Sequence, residues 1–164
     1  YYDQGYKHGM GKLSWPDGST YEGNFNRNDI DGFGTYKWRD GRLYKGEWRC
    51  NQMDGLGIFI WADMKKYIGY YKNDKKHGYG IFIWPDNKKY EGEWKNGKQH
   101  GYGYFYSKGT RKFGEWVNGK KERWLSDDDM NAQRVSADVE KYIKSNFVNN
   151  PSILSTIKNE ESEK

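Results

Sequence analysis

Residues 90–103 read YEGEWKNGKQHGYG, and this stretch determines the fold expected for the whole chain. Two short segments rich in Tyr, Trp and Gly flank the dipeptide Asn96-Gly97. Asn and Gly accept the positive φ angles that a tight turn requires. The stretch therefore predicts a β-hairpin, with one strand on each side of Asn96-Gly97.

The same signature recurs every 23 residues along the chain. The positions in phase are Gly9, Gly32, Gly55, Gly78 and Gly101; Gly11, Gly34, Gly57, Gly80 and Gly103; Tyr21, Tyr44, Tyr67 and Tyr90; and Trp15, Trp38, Trp61 and Trp84. A second turn closes each unit, as in Trp15-Pro16-Asp17-Gly18 and Trp84-Pro85-Asp86-Asn87. Self-similarity at a fixed period is the signature of a repeat architecture, so we interpret the chain as an array of hairpins.

Both ends of the array are irregular. Tyr2 has the phase of Phe25, but the Tyr-x-Gly that precedes Phe25 has no counterpart before Tyr2, so we expect the chain to be a piece of a longer protein. The unit at Phe113 begins one residue early, and such degeneracy is usual in terminal units.

The pattern Tyr-x-Gly-x-Trp, a turn, and then His/Asp-Gly-x-Gly resembles the MORN (membrane occupation and recognition nexus) repeat. The resemblance covers about five repeats of 23 residues over residues 1–118. It implies a mostly β fold, an elongated twisted single antiparallel sheet of consecutive hairpins with about ten or eleven strands. It also implies a role in protein–protein contact, scaffolding or membrane association, in settings that include cilia and the cytoskeleton. The departures from the pattern are Phe25 and Tyr71 for Trp, Asp31 and Asp54 for His, and Met64 and Asn87 for the turn Gly.

The composition predicts that aromatic rings lying on glycine replace an aliphatic core. The 164 residues include 21 Gly, 15 Tyr and 8 Trp. Side chains alternate across a strand, so Tyr90 and Trp94 are expected on one face, with Gly101 and Gly103 of the partner strand. Glycine lacks the Cβ that would hold a ring away from the backbone, and each ring buries about 150–250 Å².

Two surfaces of the predicted sheet are candidates for binding a protein partner. The first is an aromatic groove with Tyr36, Trp38, Phe59, Trp61, Phe82 and Trp84. The second is an apolar stretch at the centre of the reverse face, with Ile58, Ile60, Ile81, Ile83, Tyr79 and Tyr102. Large apolar patches mark contacts, so we expect a non-catalytic scaffold that binds a helix or another copy of itself.

The repeats are expected to fill residues 1–124, and residues 125–164 a helical tail. Ser126 followed by Asp127-Asp128-Asp129 predicts a helix N-cap with an acidic first turn, and an apolar stripe follows at Val135, Val139, Tyr142, Ile143 and Phe147. After a break at Pro151, a short second helical segment and a frayed end are expected. Two alternatives stay open for the main helix: it packs on its own sheet, or it docks on a neighbouring chain.

The charge pattern suggests an alternative function. The net charge is +5, and most of the basic residues belong to the repeats. Lysines are expected along the two edges of the array, at Lys65, Lys66, Lys88 and Lys89 on one edge and at Lys75, Lys76, Lys98, Lys120 and Lys121 on the other. They could bind anionic phospholipids and make the protein a peripheral membrane module, or be solvated turn residues that prevent aggregation. Nucleic acid is not expected as a partner, because the rings are needed for folding and acidic residues are interspersed.

The sequence predicts no catalytic residues, cofactor or metal site. His8, His77 and His100 share one phase, and hairpins about 10 Å apart keep them from converging on one metal ion. We interpret this phase, held by Asp in the units between, as one that bonds turn backbone. The single Cys50 favours a reducing compartment, and a cytoplasmic location is expected, in the cilium, at the cytoskeleton or at the cytoplasmic face of a membrane.

Overall fold

The computed structural model of the protein describes residues 1–146, which form thirteen strands and one helix. The elements are β1 (Tyr2–Asp3), β2 (Tyr6–Lys7), β3 (Gly9–Ser14), β4 (Thr20–Asn26), β5 (Asp29–Lys37), β6 (Leu43–Arg49), β7 (Gln52–Ile60), β8 (Lys66–Lys72), β9 (Lys75–Ile83), β10 (Lys89–Lys95), β11 (Lys98–Ser107), β12 (Thr110–Val117), β13 (Lys120–Leu125) and α1 (Met130–Asn146). Strands β3 to β13 form one 11-stranded antiparallel sheet in chain order, and β1 and β2 form a separate two-stranded hairpin. The predicted array of consecutive hairpins with a helical tail is confirmed.

Both kinds of turn contain residues with positive φ angles. Between β10 and β11, Asn96 and Gly97 have φ angles of 51° and 84°. In the turns that close the units, the fourth position also has a positive φ, 95° at Gly41 and 72° at Met64. Met64 therefore adopts a conformation that costs an L-residue roughly 1–2 kcal/mol.

Met64→Gly is expected to stabilise the protein, because Gly has no Cβ to strain in this turn. The Met64 side chain is exposed, so little packing is lost. The greater freedom of Gly in the unfolded chain offsets part of the gain, which leaves about 0.5–1 kcal/mol. Urea denaturation measures the difference, and Asn87→Gly is the matched control. Asn87 occupies the same turn position at φ 66°, and Asn tolerates this region, so Asn87→Gly should stabilise the protein less. Equal stabilisation by the two substitutions would contradict the explanation.

Neighbouring hairpins are joined through their turns. The backbone N–H of Asn51 donates to the carbonyl of Ile30 at 2.8 Å, and the N–H of Gly97 donates to the carbonyl of Lys76 at the same distance. Each of these bonds links a turn to the hairpin before it.

Side chains at the His/Asp phase strengthen the same junctions. The N–H of Asn118 donates to His100 Nδ1 at 3.2 Å, and the N–H of Cys50 donates to Asp31 Oδ2 at 3.1 Å. The interpretation that this phase bonds turn backbone is confirmed for these units, and the turn in question belongs to the following hairpin.

The core of the sheet is a row of tyrosines, each lying over glycine backbone. Tyr21, Tyr44, Tyr67 and Tyr90 are all 0% exposed. A Cβ on Gly103 would stand 2.6 Å from the ring of Tyr90, so this glycine does make room for a ring, as predicted. The hydroxyl of Tyr90 donates to the carbonyl of Glu93 at 3.0 Å, and the other three tyrosines make the equivalent bond. This bond explains why the position is Tyr and not Phe.

Gly101 differs from the prediction that it shares the aromatic face. Its φ is +89°, and a Cβ there would collide with the carboxylate of Glu93, on the opposite face from the neighbouring Trp94. The Glu93 carboxylate accepts a hydrogen bond from the N–H of Tyr102 at 2.7 Å. Gly101 therefore makes room for a carboxylate, while Gly103 makes room for the ring.

The buried tyrosines predict an alkaline transition. Burial raises the pKa of Tyr21 to about 12, and it raises the pKa of Tyr44 and Tyr90 above the ordinary value of 10.0. The folded state thus keeps protons that the unfolded chain releases above pH 10, so stability is complete below pH 10 and falls as the pH rises further. Urea midpoints should be unchanged from pH 7 to 9 and should fall above pH 10. Tyr21→Phe should flatten this fall, and an unchanged slope would contradict the assignment.

Helix α1 packs on the reverse face of its own sheet, which is the first of the two alternatives. Ala132 and Val135 are 0% and 2% exposed and cluster with Tyr104 and Phe113. The hydroxyl of Tyr104 donates to the carbonyl of Ala132 at 3.1 Å. Farther along α1, Tyr142 contacts the rings of two tyrosines on the sheet. The side chain of Ile143, Phe147 and the predicted second segment lie outside the described residues.

The helix begins later than predicted. The N-cap is Asp129, whose carboxylate accepts the N–H of Asn131 at 2.7 Å. Ser126 instead holds a turn before the helix, because its hydroxyl accepts the N–H of Asp128 at 3.2 Å. The prediction of Ser126 as N-cap and of an acidic first turn is therefore wrong, since α1 starts at Met130.

Candidate functional site: the aromatic groove

A continuous row of aromatic rings follows the array along the face opposite α1. Within one strand and its end, the ring centroids of Phe59 and Trp61 are 4.4 Å apart, and those of Phe82 and Trp84 are 4.7 Å apart. Between hairpins, Trp61 and Phe82 are 5.5 Å apart. We call this row the aromatic groove; its members are Trp15, Tyr36, Trp38, Phe59, Trp61, Phe82, Trp84 and Phe105.

The six groove residues predicted from the sequence are all brought together in this row. Phe59 and Phe82 are buried at 6% and 8% exposure, whereas Trp38, Trp61 and Trp84 are only partly buried. Tyr36 is partly buried as well, so the three tryptophans and Tyr36 form the accessible part of the predicted groove.

A second set of tryptophans lies deeper and has a structural role. The indole N–H of Trp94 donates to the carbonyl of Gly80 at 3.2 Å, and Trp48 makes the same bond to Gly34. The ring of Trp94 meets that of Tyr67 edge to face at 5.4 Å. The indole N–H groups of these tryptophans are already hydrogen-bonded within the sheet. Their buried rings support the groove residues from below.

Lys76, which the sequence predicts at an edge of the array, instead enters the groove. The Nζ atom of Lys76 lies 5.5 Å from the ring of Trp61, 5.8 Å from Tyr67, 5.8 Å from Phe82 and 5.4 Å from Trp94. Burial, and then the positive charge of Lys65, lowers the pKa of Lys76 below its ordinary value. The repeat spacing could have located it: Lys76 stands 23 residues after Met53 and therefore occupies the same position of the repeat.

The candidate residues of the reverse face are largely engaged within the chain. Ile58 is 1% exposed and Ile81 is 7% exposed, while Ile60 and Ile83 are partly buried. Ile58, Ile60, Ile83 and Tyr79 cluster around Leu56, Ile68 and the helix residue Tyr142, and Tyr102 packs in the cluster that contains Ala132 and Val135. Their role in binding a partner stays a prediction, but α1 already covers part of the surface they form.

A profile of the MORN repeat matches residues 1–20, 21–41, 44–63, 67–89, 90–111 and 113–122. The chain belongs to the MORN repeat family. The repeats of this family are generally protein or membrane interaction modules, and the repeat is a non-enzymatic fold. A search of curated proteins gives no match to the chain.

The edge lysines of the MORN array are partly neutralised. Lys65 pairs with Asp63 at 3.4 Å, and Lys88 pairs with Asp86 at 3.3 Å, both within the turn that closes a unit. Lys89 Nζ lies 2.7 Å from the buried Glu91 carboxylate. The Lys121 ammonium lies 4.6 Å from the ring of Trp124. Lys66 is partly buried, whereas Lys98 and Lys120 are exposed on the turns of the opposite edge.

Neither a cluster of metal ligands nor a membrane span occurs in the part of the MORN array that the structure describes. Over residues 1–146, no three His, Cys, Asp or Glu side chains are grouped so that they could hold a metal ion. Within the same range, no helix has the length and apolar character needed to cross a bilayer.

Proposed function

We propose that this MORN array is a non-catalytic scaffold module that binds a protein partner through the aromatic groove. The observation that carries the proposal is the row of partly exposed tryptophans on the face opposite α1. Trp and Tyr are the side chains most enriched among residues that dominate binding energy, and a row of them favours a partner that covers it.

The groove is favoured over the reverse face because of what lies on each. On the reverse face, Ala132, Val135 and Tyr142 of α1 already fill an apolar surface. On the groove face, Trp38, Trp61 and Trp84 are only partly buried, at intervals of one hairpin. A helix or a second copy of the array could lie along this row and contact one tryptophan per hairpin.

The setting is the cytoplasm, in a ciliary or cytoskeletal assembly or at the cytoplasmic face of a membrane. This part of the proposal rests on the family alone, whose members act as interaction modules.

The test is recovery of binding proteins from extracts of cells that express the protein. We expect the double variant Trp61→Ala/Trp84→Ala to lose most of the recovered partner, because it removes two ring contacts. Trp124→Ala is the matched control, since Trp124 is 42% exposed but lies on the edge strand outside the groove. Circular dichroism verifies that each variant is folded. Equal recovery by the two variants would exclude the groove as the binding surface.

Binding to anionic phospholipid through the lysine edges is the alternative that the family allows. The ion pairs of Lys65, Lys88 and Lys89 reduce the charge available to a membrane, so we expect little sedimentation with phosphatidylserine vesicles. Sedimentation at low salt that disappears as salt rises would favour the membrane function instead.

A further inference from the structure

Lys76 occupies a position of the repeat that faces the rings in every central hairpin. The position lies directly across from the aromatic residue of the first strand, as the pairs Phe25 with Ile30, Trp48 with Met53 and Tyr71 with Lys76 show. In the two earlier units a buried apolar side chain fills the site: Ile30 is 8% exposed and Met53 is 9% exposed. In the later units the position holds Gln99, opposite Trp94, and Lys121, opposite Trp116. Lys76 therefore places an ammonium group at a site that the two preceding units fill with an apolar side chain.

The ammonium group of Lys76 is held by rings and not by a carboxylate. Four ring centroids lie within 5.8 Å of its Nζ atom. None of the ion pairs found within residues 1–146 includes Lys76. The charge that acts on it most strongly is that of Lys65, which has the same sign.

A partner that covers the groove would remove the remaining water from this ammonium group. Burying a charge is strongly unfavourable unless an opposite charge pairs with it. An apolar segment without an acidic group would therefore be rejected at Lys76, and a basic segment would be rejected more strongly by Lys76 and Lys65 together. The groove offers apolar contact along its length and needs a negative charge at one point.

We propose that Lys76 is a specificity-determining residue that selects a partner segment carrying an aspartate or glutamate among apolar side chains. The occupant is a helical segment of a partner protein, whose apolar side chains lie on Trp61 and Trp84 and whose carboxylate pairs with Lys76. The inference rests on the proposed function and adds the chemistry of the partner to it.

A displayed library of helical peptides, selected on the whole chain, tests the proposal and does not require the partner protein itself. We expect the selected peptides to be apolar on one face with an Asp or Glu in that face. For a synthetic peptide from this set, replacing the acid by its amide should weaken binding to the protein by about tenfold, as for a desolvated charge pair. With Lys76→Met, the acid and amide peptides should bind equally.

Matched variants separate this effect from general charge and from folding. Lys76→Met should fold, because Met53 fills the same position one unit earlier. Lys75→Met removes the neighbouring exposed lysine and should leave the preference for the acid intact. Met53→Lys added to Lys76→Met should restore a preference for the acid, since it places the ammonium group in the equivalent site.

Each outcome bears on one of the two proposals. Peptides that bind through the tryptophans but show no preference for an acid, or that keep it with Lys76→Met, would overturn the role of Lys76 and leave the groove in place. Failure to select any peptide, or equal binding by Trp61→Ala/Trp84→Ala, would overturn the proposed function itself. Selection of segments from the protein's own sequence, with self-association in sedimentation, would replace the partner by a second copy.

Discussion

Gly57→Ala is expected to destabilise the array by about 3 kcal/mol or more, although it adds only one methyl group. A Cβ at residue 57 would stand 2.3 Å from the hydroxyl oxygen of Tyr44 and 2.4 Å from its Cζ atom. Tyr44 is 0% exposed, and its hydroxyl donates to the carbonyl of Glu47 at 2.9 Å. The ring can move away only by losing its burial and its hydrogen bond. Urea denaturation followed by tryptophan fluorescence measures the loss.

Gly11→Ala is the matched control, because Gly11 has the same phase in the repeat but lies on the edge strand β3. No tyrosine covers it, and its Cβ would meet only the ring of Phe25 at 3.2 Å. We expect a loss below about 1 kcal/mol, since this ring can shift by a few tenths of an ångström. Similar losses in the two variants would show that the tyrosine over glycine is not what holds the sheet together.

Val135→Asp is expected to release α1 from the sheet while the hairpins stay folded. Val135 of α1 is 2% exposed against the cluster around Tyr104, where a carboxylate would lose its hydration. The cost exceeds about 3 kcal/mol, so the helix should undock. An isolated helix of this length is marginal in water, so undocking should also unwind it. Loss of helical circular dichroism and of amide protection in α1 would report this.

The control for that prediction is Ala137→Asp, two residues away on the exposed side of α1. It should leave both the helical signal and the amide protection unchanged. Protection of α1 amides that survives Val135→Asp would contradict the packing of the helix on its own sheet.

The 23-residue period predicted most of the sheet, because each position of the repeat has the same structural role in every unit. Tyr90 over Gly103 and the turn at Asn96-Gly97 followed from chemistry that every unit repeats. The placement of Gly101 did not follow, because alternation assumes a regular strand and Gly101 has a φ of +89°.

The start of α1 and the position of Lys76 could not be predicted from local sequence. Ser126 and Asp129 are both good caps, and only the end of β13 and the packing of Val135 determine which one starts the helix. The sequence predicts Lys76 at the edge of the array because it stands next to Lys75, directly after the turn at Asn73-Asp74. Its place among four rings depends on strands from two hairpins, which a single unit of sequence does not contain.

A protein partner is expected to lie on the tryptophans of the aromatic groove. Photo-cross-linking in the native cell tests it most directly, with benzoylphenylalanine placed at residue 61, at residue 84 or, as a control, at residue 124. All three positions hold tryptophan, but only Trp61 and Trp84 belong to the groove. We expect a cross-linked protein adduct from residues 61 and 84 and none from residue 124. Adducts from residue 124, with none from the groove positions, would contradict it.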